Sequence, residues 1–216
     1  MLLLAAVPSF VISLGGITDP ESIDLEIGVL ELVASVLASL GPAAIAAYLL
    51  WRDGRLREAG FGRRSPGFIL GYGALGFVCC FIAIITVGLL ISTIGLAFGG
   101  DPTESSDAES IDLTAGVVVA ILLLALSAGF AEEIVFRAYA ITRMEEAGFG
   151  RAAVLAPWAV FTSLHLYQGP VALLVIGAVA GVFVWLYRWQ RSVWPVMVAH
   201  ALYNVAIFAL GVAASG

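Results

Sequence analysis

Long apolar stretches, separated by short polar segments, run along this chain. Stretches of about 18 or more apolar residues recur, which is typical of helices that cross a membrane. We predict about seven spans, at roughly 2–16, 26–51, 66–98, 114–142, 152–168, 170–187 and 194–212. The expected fold is therefore all-α, a polytopic transmembrane helical bundle. We expect roughly three spans in residues 1–112 and four in residues 113–216.

The composition excludes an ordinary soluble domain. Of the 216 residues, 61% are hydrophobic and 12% are charged, whereas a soluble domain is about half apolar and a quarter charged. The first apolar stretch lacks the basic flank of a signal peptide, and we interpret it as a short first span. We therefore expect the lipid bilayer, and no nucleic acid, among the partners.

The distribution of charge along the chain predicts an orientation in the membrane. The ten basic residues are all arginine, and nine of them cluster in residues 52–64, 143–151 and 188–191. Acidic residues without arginine occupy 19–26 and 101–112. Since loops rich in arginine stay in the cytoplasm, we expect a multi-pass protein of the cell membrane. Its N-terminus would be cytoplasmic and its C-terminus outside.

Two segments of the chain repeat at an offset of 88 residues. Residues 19–29 match 107–117, and residues 58–63 match 146–151. The match indicates that the second and fourth predicted spans, each with its following loop, are duplicated units, although shared loop chemistry at two helix ends would also give it.

The repeat contains an internal control. At the positions equivalent to Glu132, Glu133 and Arg137, the first copy has Ala44, Ile45 and Leu49. A helix of this type therefore folds without charges there, and the charges of the second copy call for a functional explanation.

Three polar motifs lie inside the apolar stretches, and they contain both histidines of the chain. They are Glu132-Glu133-x-x-x-Arg137, Phe161-x-x-x-His165 and His200-x-x-x-Asn204. A charged side chain at the centre of a membrane helix costs roughly 2.5–3.5 kcal/mol. We infer that the three motifs form one site.

Helical spacing separates the two acids. Glu133 and Arg137 are four residues apart and can form an ion pair. Glu132 points about 100° away from Glu133, has no partner on its own helix, and is the candidate general base. His165 is expected deep in the fifth span, one helical turn after Phe161.

Two mechanisms use these side chains. Glu132 and His165 could activate a water molecule while His200 and Asn204 stabilise an oxyanion. Alternatively, Glu132, His165 and His200 could bind Zn²⁺ and leave a position for water. The chain has no His-Glu-x-x-His motif, which favours the metal-free version, and so we expect no cofactor.

The order and spacing of the three motifs resemble those of the CPBP family, the type II CAAX prenyl proteases and bacteriocin-processing enzymes. The resemblance covers roughly residues 115–212. It implies an intramembrane glutamic endopeptidase that acts on a membrane-associated or lipidated peptide or protein. By position, Glu132 and His165 would activate water and His200 and Asn204 would form the oxyanion site, with Glu133, Arg137 and Phe161 in support.

Two non-proteolytic functions remain as alternatives. Intramembrane Glu and His residues also occur in proton-coupled transporters, where they follow a path at different depths. A catalytically inactive member of the same family could act as a membrane scaffold or immunity protein.

Overall fold

Helices form the regular elements of residues 25–98 and 115–215, the parts of the chain that the computed structural model describes. They are α1 (Leu25–Arg52), α2 (Pro66–Ala97), α3 (Ala115–Glu132), α4 (Thr142–Glu146), α5 (Ala152–Ser163), α6 (Gly169–Gln190) and α7 (Trp194–Ser215). A π-helical segment, Glu133–Ile141, connects α3 directly to α4. Two shorter elements are a π-helical turn at Arg57–Phe61 and a 3₁₀ turn at Leu166–Gln168. The predicted all-α class is confirmed for these residues. The first predicted span, 2–16, lies outside them.

Within the described residues, two helices are long and apolar enough to cross a membrane, Pro66–Ala97 and Leu166–Gln190. Shorter apolar helices cover Val36–Arg52, Ala152–Ser163 and Trp194–Leu210. Large apolar side chains on the outer surface of α2, including Leu70, Ile82 and Leu89, are more than half exposed. This apolar surface is typical of a helix that contacts lipid.

Helix α5 is shorter than the span predicted at 152–168. Its 12 residues measure about 18 Å, less than the roughly 30 Å hydrocarbon core of a bilayer. The α-helix is then interrupted, and α6 begins at Gly169, whose φ is 87°. Pro170 lies in the first turn of α6. Positive φ and proline both oppose a continuous helix, so α5 and α6 are separate elements.

Helix α2 packs closely along α6 and α7, and two glycines make this possible. A Cβ atom at Gly73 would lie 2.5 Å from Cγ1 of Val198, and one at Gly76 would lie 2.7 Å from Cδ2 of Leu186. The buried core beside this contact includes Leu50, Phe183, Leu186, Tyr187, Val196 and Met197. The glycines therefore hold the N-terminal part of the described chain against the helices that carry the histidine motifs.

The two copies of the Glu-Ala-Gly-Phe-Gly-Arg sequence adopt the same turn up to the phenylalanine and differ at the next glycine, whose φ is −57° at Gly62 and 55° at Gly150. Both have a glycine with positive φ, 91° at Gly60 and 78° at Gly148. They also have equivalent backbone hydrogen bonds, Ala59 N to Arg55 O and Phe61 N to Leu56 O in the first copy, and Ala147 N to Arg143 O and Phe149 N to Met144 O in the second. These bonds and the left-handed glycine are those of a helix C-terminal cap. The repeated sequence is therefore a repeated structure as far as the phenylalanine.

Candidate active site

A cavity of about 290 Å³ lies between α3, α6, α7 and the break after α5. Its size is near the lower limit for ligand pockets, about 300 Å³. It is lined by Ala128, Glu132, Phe161, His165, Tyr167, Gln168, Ile176, Val179, Phe183, His200, Tyr203, Asn204 and Ile207. The structure thus places Glu132, His165, His200 and Asn204, the four side chains predicted to be catalytic, around the same cavity.

Glu133 lies behind the cavity, where it holds two other groups of the motifs. It is fully buried, and its Oε1 atom is 3.0 Å from Nη1 of Arg137 and 2.8 Å from Nδ1 of His200. The backbone also becomes π-helical at Glu133. A π-helix has more residues per turn than an α-helix and is frequent at functional sites.

Arg137 is held by charge and by aromatic rings. The guanidinium is 1% exposed, and its approach to Glu133 is not aligned for a hydrogen bond. In the part of the chain that the structure describes, its nitrogens have no hydrogen-bond partner. The guanidinium carbon lies 4.4 Å from the ring centre of Phe161 and 5.6 Å from that of Phe183. Cation–π attraction therefore adds to the ion pair.

The environment of His200 defines its tautomer. Because Nδ1 faces a carboxylate that is paired with arginine, Nδ1 carries a proton and donates it to Glu133. The other ring nitrogen, Nε2, lies 3.8 Å from Oε2 of Glu132. Phe183 stacks on the imidazole with ring centres 4.6 Å apart. The ring is therefore fixed with Nε2 towards Glu132.

His165 lies just beyond α5 and not inside a helix, in contrast to its predicted position deep in a span. It follows Leu164, the C-cap residue of α5, and its side chain is half-buried. Nδ1 is 2.9 Å from the carbonyl oxygen of Phe161. Since a carbonyl only accepts, neutral His165 carries its proton on Nδ1 and keeps a lone pair on Nε2. Irregular backbone at membrane depth is tolerated where it lines a cavity.

Asn204 lies one helical turn after His200 on α7. Its Nδ2 atom donates a hydrogen bond to the carbonyl oxygen of Ala125 on α3, at 3.1 Å. An amide nitrogen has two N–H groups, so the second remains for a ligand in the cavity.

The arrangement of possible metal ligands bears on the zinc alternative. Among the described residues, no group of three or more His, Cys, Asp and Glu side chains is placed to hold a metal ion. Glu132, His165 and His200 line the same cavity but do not form such a group.

Several residues of the site were not predicted from the sequence. Phe183 stacks on His200, and Tyr167, Gln168 and Tyr203 line the cavity. Phe183 is an apolar residue in an apolar helix, which gives no signal of its own. Gln168 is a polar residue between two apolar stretches, and this was a usable signal.

Comparison with known families gives one match. The model of the family described as type II CAAX prenyl endopeptidase Rce1-like matches residues 114–206, which include all three motifs. No curated protein and no solved structure matches the chain. The family is membrane-associated, and the match supports a CAAX protease-like peptidase function. Over residues 114–206 the chain is therefore similar to the Rce1-like type II CAAX prenyl endopeptidases.

Proposed function

We propose that the protein is a multi-pass membrane endopeptidase that hydrolyses a peptide bond of a membrane-associated or lipidated substrate in the cavity. The observation that carries this proposal is the cluster of Glu132, Glu133, Arg137 and His200. It presents a carboxylate and an oriented imidazole to the same cavity as His165 and Asn204.

Charge balance constrains the number of protons in this cluster. Buried charges are stable when they are paired. Glu133 is neutralised by Arg137, which leaves Glu132 as a second carboxylate. One further proton makes the cluster neutral, and the proposed mechanism has this proton on Nε2 of His200, with Glu132 ionised. In this state Glu132 is a base and His200 has an N–H for the cavity.

The reaction follows from these groups. A water molecule donates one hydrogen to Glu132 and the other to Nε2 of His165, so that its lone pair faces the peptide carbonyl. Glu132 takes the proton as the oxygen attacks the carbonyl carbon. His200 Nε2–H and the free N–H of Asn204 donate to the oxyanion. Glu132 then returns the proton to the leaving nitrogen as the C–N bond breaks.

The grouping of ionisable side chains also bears on the alternatives. A proton-coupled transporter requires such groups along a path, whereas these face a common cavity. The mechanism proposed is metal-free, because Glu132, His165 and His200 do not form a group that could hold a metal ion. Zn²⁺ remains the alternative that a chelation experiment decides.

We propose that the arginine-rich end of the bundle faces the cytoplasm, as the positive-inside rule requires. In intact cells, a membrane-impermeant thiol reagent should label a cysteine placed at Ser106, in the acidic segment, and not one placed at Gly62. Both variants should be made in a Cys79→Ala/Cys80→Ala background. The opposite labelling pattern would reverse the orientation.

The test of function compares peptide termini in membranes that contain wild type or Glu132→Gln protein. The substitution keeps the size and polarity of the side chain but removes the base, so cleavage should slow by about 10²- to 10⁴-fold. Glu146→Gln is the matched control, since Glu146 lies on α4 and pairs with Arg55 and Arg143 outside the cavity. Identical termini for wild type and Glu132→Gln, with both proteins folded and abundant, would contradict the proposal.

A further inference from the structure

The arginines fall into two groups by their partners. Six of the ten form ion pairs with carboxylates of the described residues: Arg52, Arg55, Arg137, Arg143, Arg188 and Arg191. For the remaining four, no ion pair is found within those residues. Three of these, Arg57, Arg63 and Arg64, line the same surface depression, and the fourth is Arg151. The unneutralised positive charge is therefore concentrated at one place.

The depression lies between the Arg57–Phe61 turn, the start of α2 and the α6–α7 connection, and its volume is about 990 Å³. Gly60 holds the turn in place, since Val193 N donates to Gly60 O at 3.1 Å. A Cβ at Gly60 would lie only 2.8 Å from that nitrogen. Arg64 donates to Gln190 O at 3.2 Å. The backbone that carries these arginines is therefore hydrogen-bonded to the α6–α7 connection.

The remaining lining does not neutralise these arginines. Glu58 is the carboxylate of the lining, and it is ion-paired with Arg55. Arg191 also lines the depression, and it is bound to Glu145. Arg57 and Arg63 are exposed, with no side-chain hydrogen bond or ion pair among the described residues. Guanidinium groups that are free in this way suit a phosphate oxygen, which they bind through paired N–H donors.

Aromatic residues place this depression at the level of the membrane surface. Trp194 packs edge-on against Phe61 at 5.6 Å, and Trp189 against Tyr72 at 5.3 Å. Tryptophan and tyrosine are enriched where a helix enters the headgroup region. The apolar helix α2 begins at Pro66, two residues after Arg64.

We propose that this depression binds the phosphate headgroup of an anionic phospholipid, whose acyl chains lie along the apolar outer surface of α2. The proposal rests on the membrane placement of the protein and is independent of its hydrolytic reaction. A free phosphate shares the headgroup chemistry but has no acyl chains to contact Leu70 and the other exposed apolar residues of α2.

The experiment titrates the detergent-solubilised full-length protein with phosphatidylglycerol, and bound lipid is counted by native mass spectrometry. Phosphatidylcholine and inorganic phosphate are the comparison ligands. Arg57→Gln and Arg63→Gln should each weaken phosphatidylglycerol binding about fivefold. Arg151→Gln, which makes the same change in charge outside the depression, should not change it. Glu132→Gln should bind the lipid as the wild type does, which separates this test from the test of hydrolysis.

Three results would overturn the proposal. An equal loss of binding in Arg151→Gln would indicate attraction to the overall charge. Equal binding of phosphatidylcholine would indicate contact with the acyl chains alone. Binding of inorganic phosphate as strong as that of phosphatidylglycerol would indicate a site for a free anion.

Discussion

Glu133 is expected to contribute more to stability than the side chains that face the cavity. Replacement of Glu133 by isoleucine leaves the guanidinium of Arg137 buried, at 1% exposure, without its counter-ion. Removal of one partner of a buried ion pair costs about 3–5 kcal/mol. The lost hydrogen bond from His200 Nδ1 acts on the same carboxylate, and so its contribution is not additive. We expect Glu133→Ile to lower the free energy of unfolding by about 3–5 kcal/mol.

A second substitution should restore the fold without restoring the site. The double variant Glu133→Ile/Arg137→Leu introduces the residues of the first repeat copy, Ile45 and Leu49. Replacement of a buried ion pair by apolar residues of similar volume is often neutral or stabilising. Stability should therefore recover to within about 1–2 kcal/mol of the wild type. Both Glu133→Ile and the double variant should lose hydrolysis, because Nδ1 of His200 then has no acceptor to orient its ring.

Thermal unfolding of the purified variants in detergent measures the first effect, and peptide cleavage in membranes measures the second. If Glu133→Ile unfolds like the wild type, the ion pair does not stabilise the fold. If the double variant stays as unstable as Glu133→Ile, the cost does not come from the unpaired arginine. If it recovers hydrolysis together with stability, Glu133 does not position His200.

Three further outcomes follow from the geometry of the site. Gly129→Ala should reduce hydrolysis at least tenfold, because its Cβ would lie 3.2 Å from the backbone nitrogen of Ala201, next to His200. Gly41→Ala is the equivalent substitution in the first repeat copy. It should be tolerated, because its Cβ would have no atom within 4 Å. His200→Ala and Asn204→Ala should lower kcat more than they raise KM, since both groups act on the oxyanion. Prolonged chelation should leave peptide cleavage intact, and a loss that Zn²⁺ restores would assign the histidines to a metal.

Helix positions could be predicted well from the sequence, because they depend on local hydrophobicity. The span predicted at 26–51 is the helix Leu25–Arg52, and the one at 66–98 is Pro66–Ala97. The boundary predicted between the spans 152–168 and 170–187 coincides with the start of α6 at Gly169. The span at 152–168 was too long at its C-terminal end, because α5 ends at Ser163.

The contact between Glu133 and His200 could not be predicted, because it depends on how α3 and α7 are rotated against each other. The four-residue spacing indicated the pair of Glu133 with Arg137, which lies within one segment. The approach of α7 is determined by packing at Gly129 and by the π-helical turn that begins at Glu133. Neither leaves a pattern in the order of apolar and polar residues. The sequence therefore indicated which side chains are polar but not their partners.

Comparison of the two repeat copies shows how the buried charges of the second copy are accommodated. Both copies end in the same capped turn, but α1 remains α-helical throughout Leu25–Arg52, whereas its equivalent is π-helical over Glu133–Ile141. Ile45 is 46% exposed, and Glu133, at the equivalent position, is fully buried. The difference comes from α5 and α7, which cover the second copy and provide His200 as a partner for Glu133. The charges of the second copy are thus stabilised by neighbouring helices as well as by their own ion pair, and the first copy, which lacks this cover, is apolar at these positions.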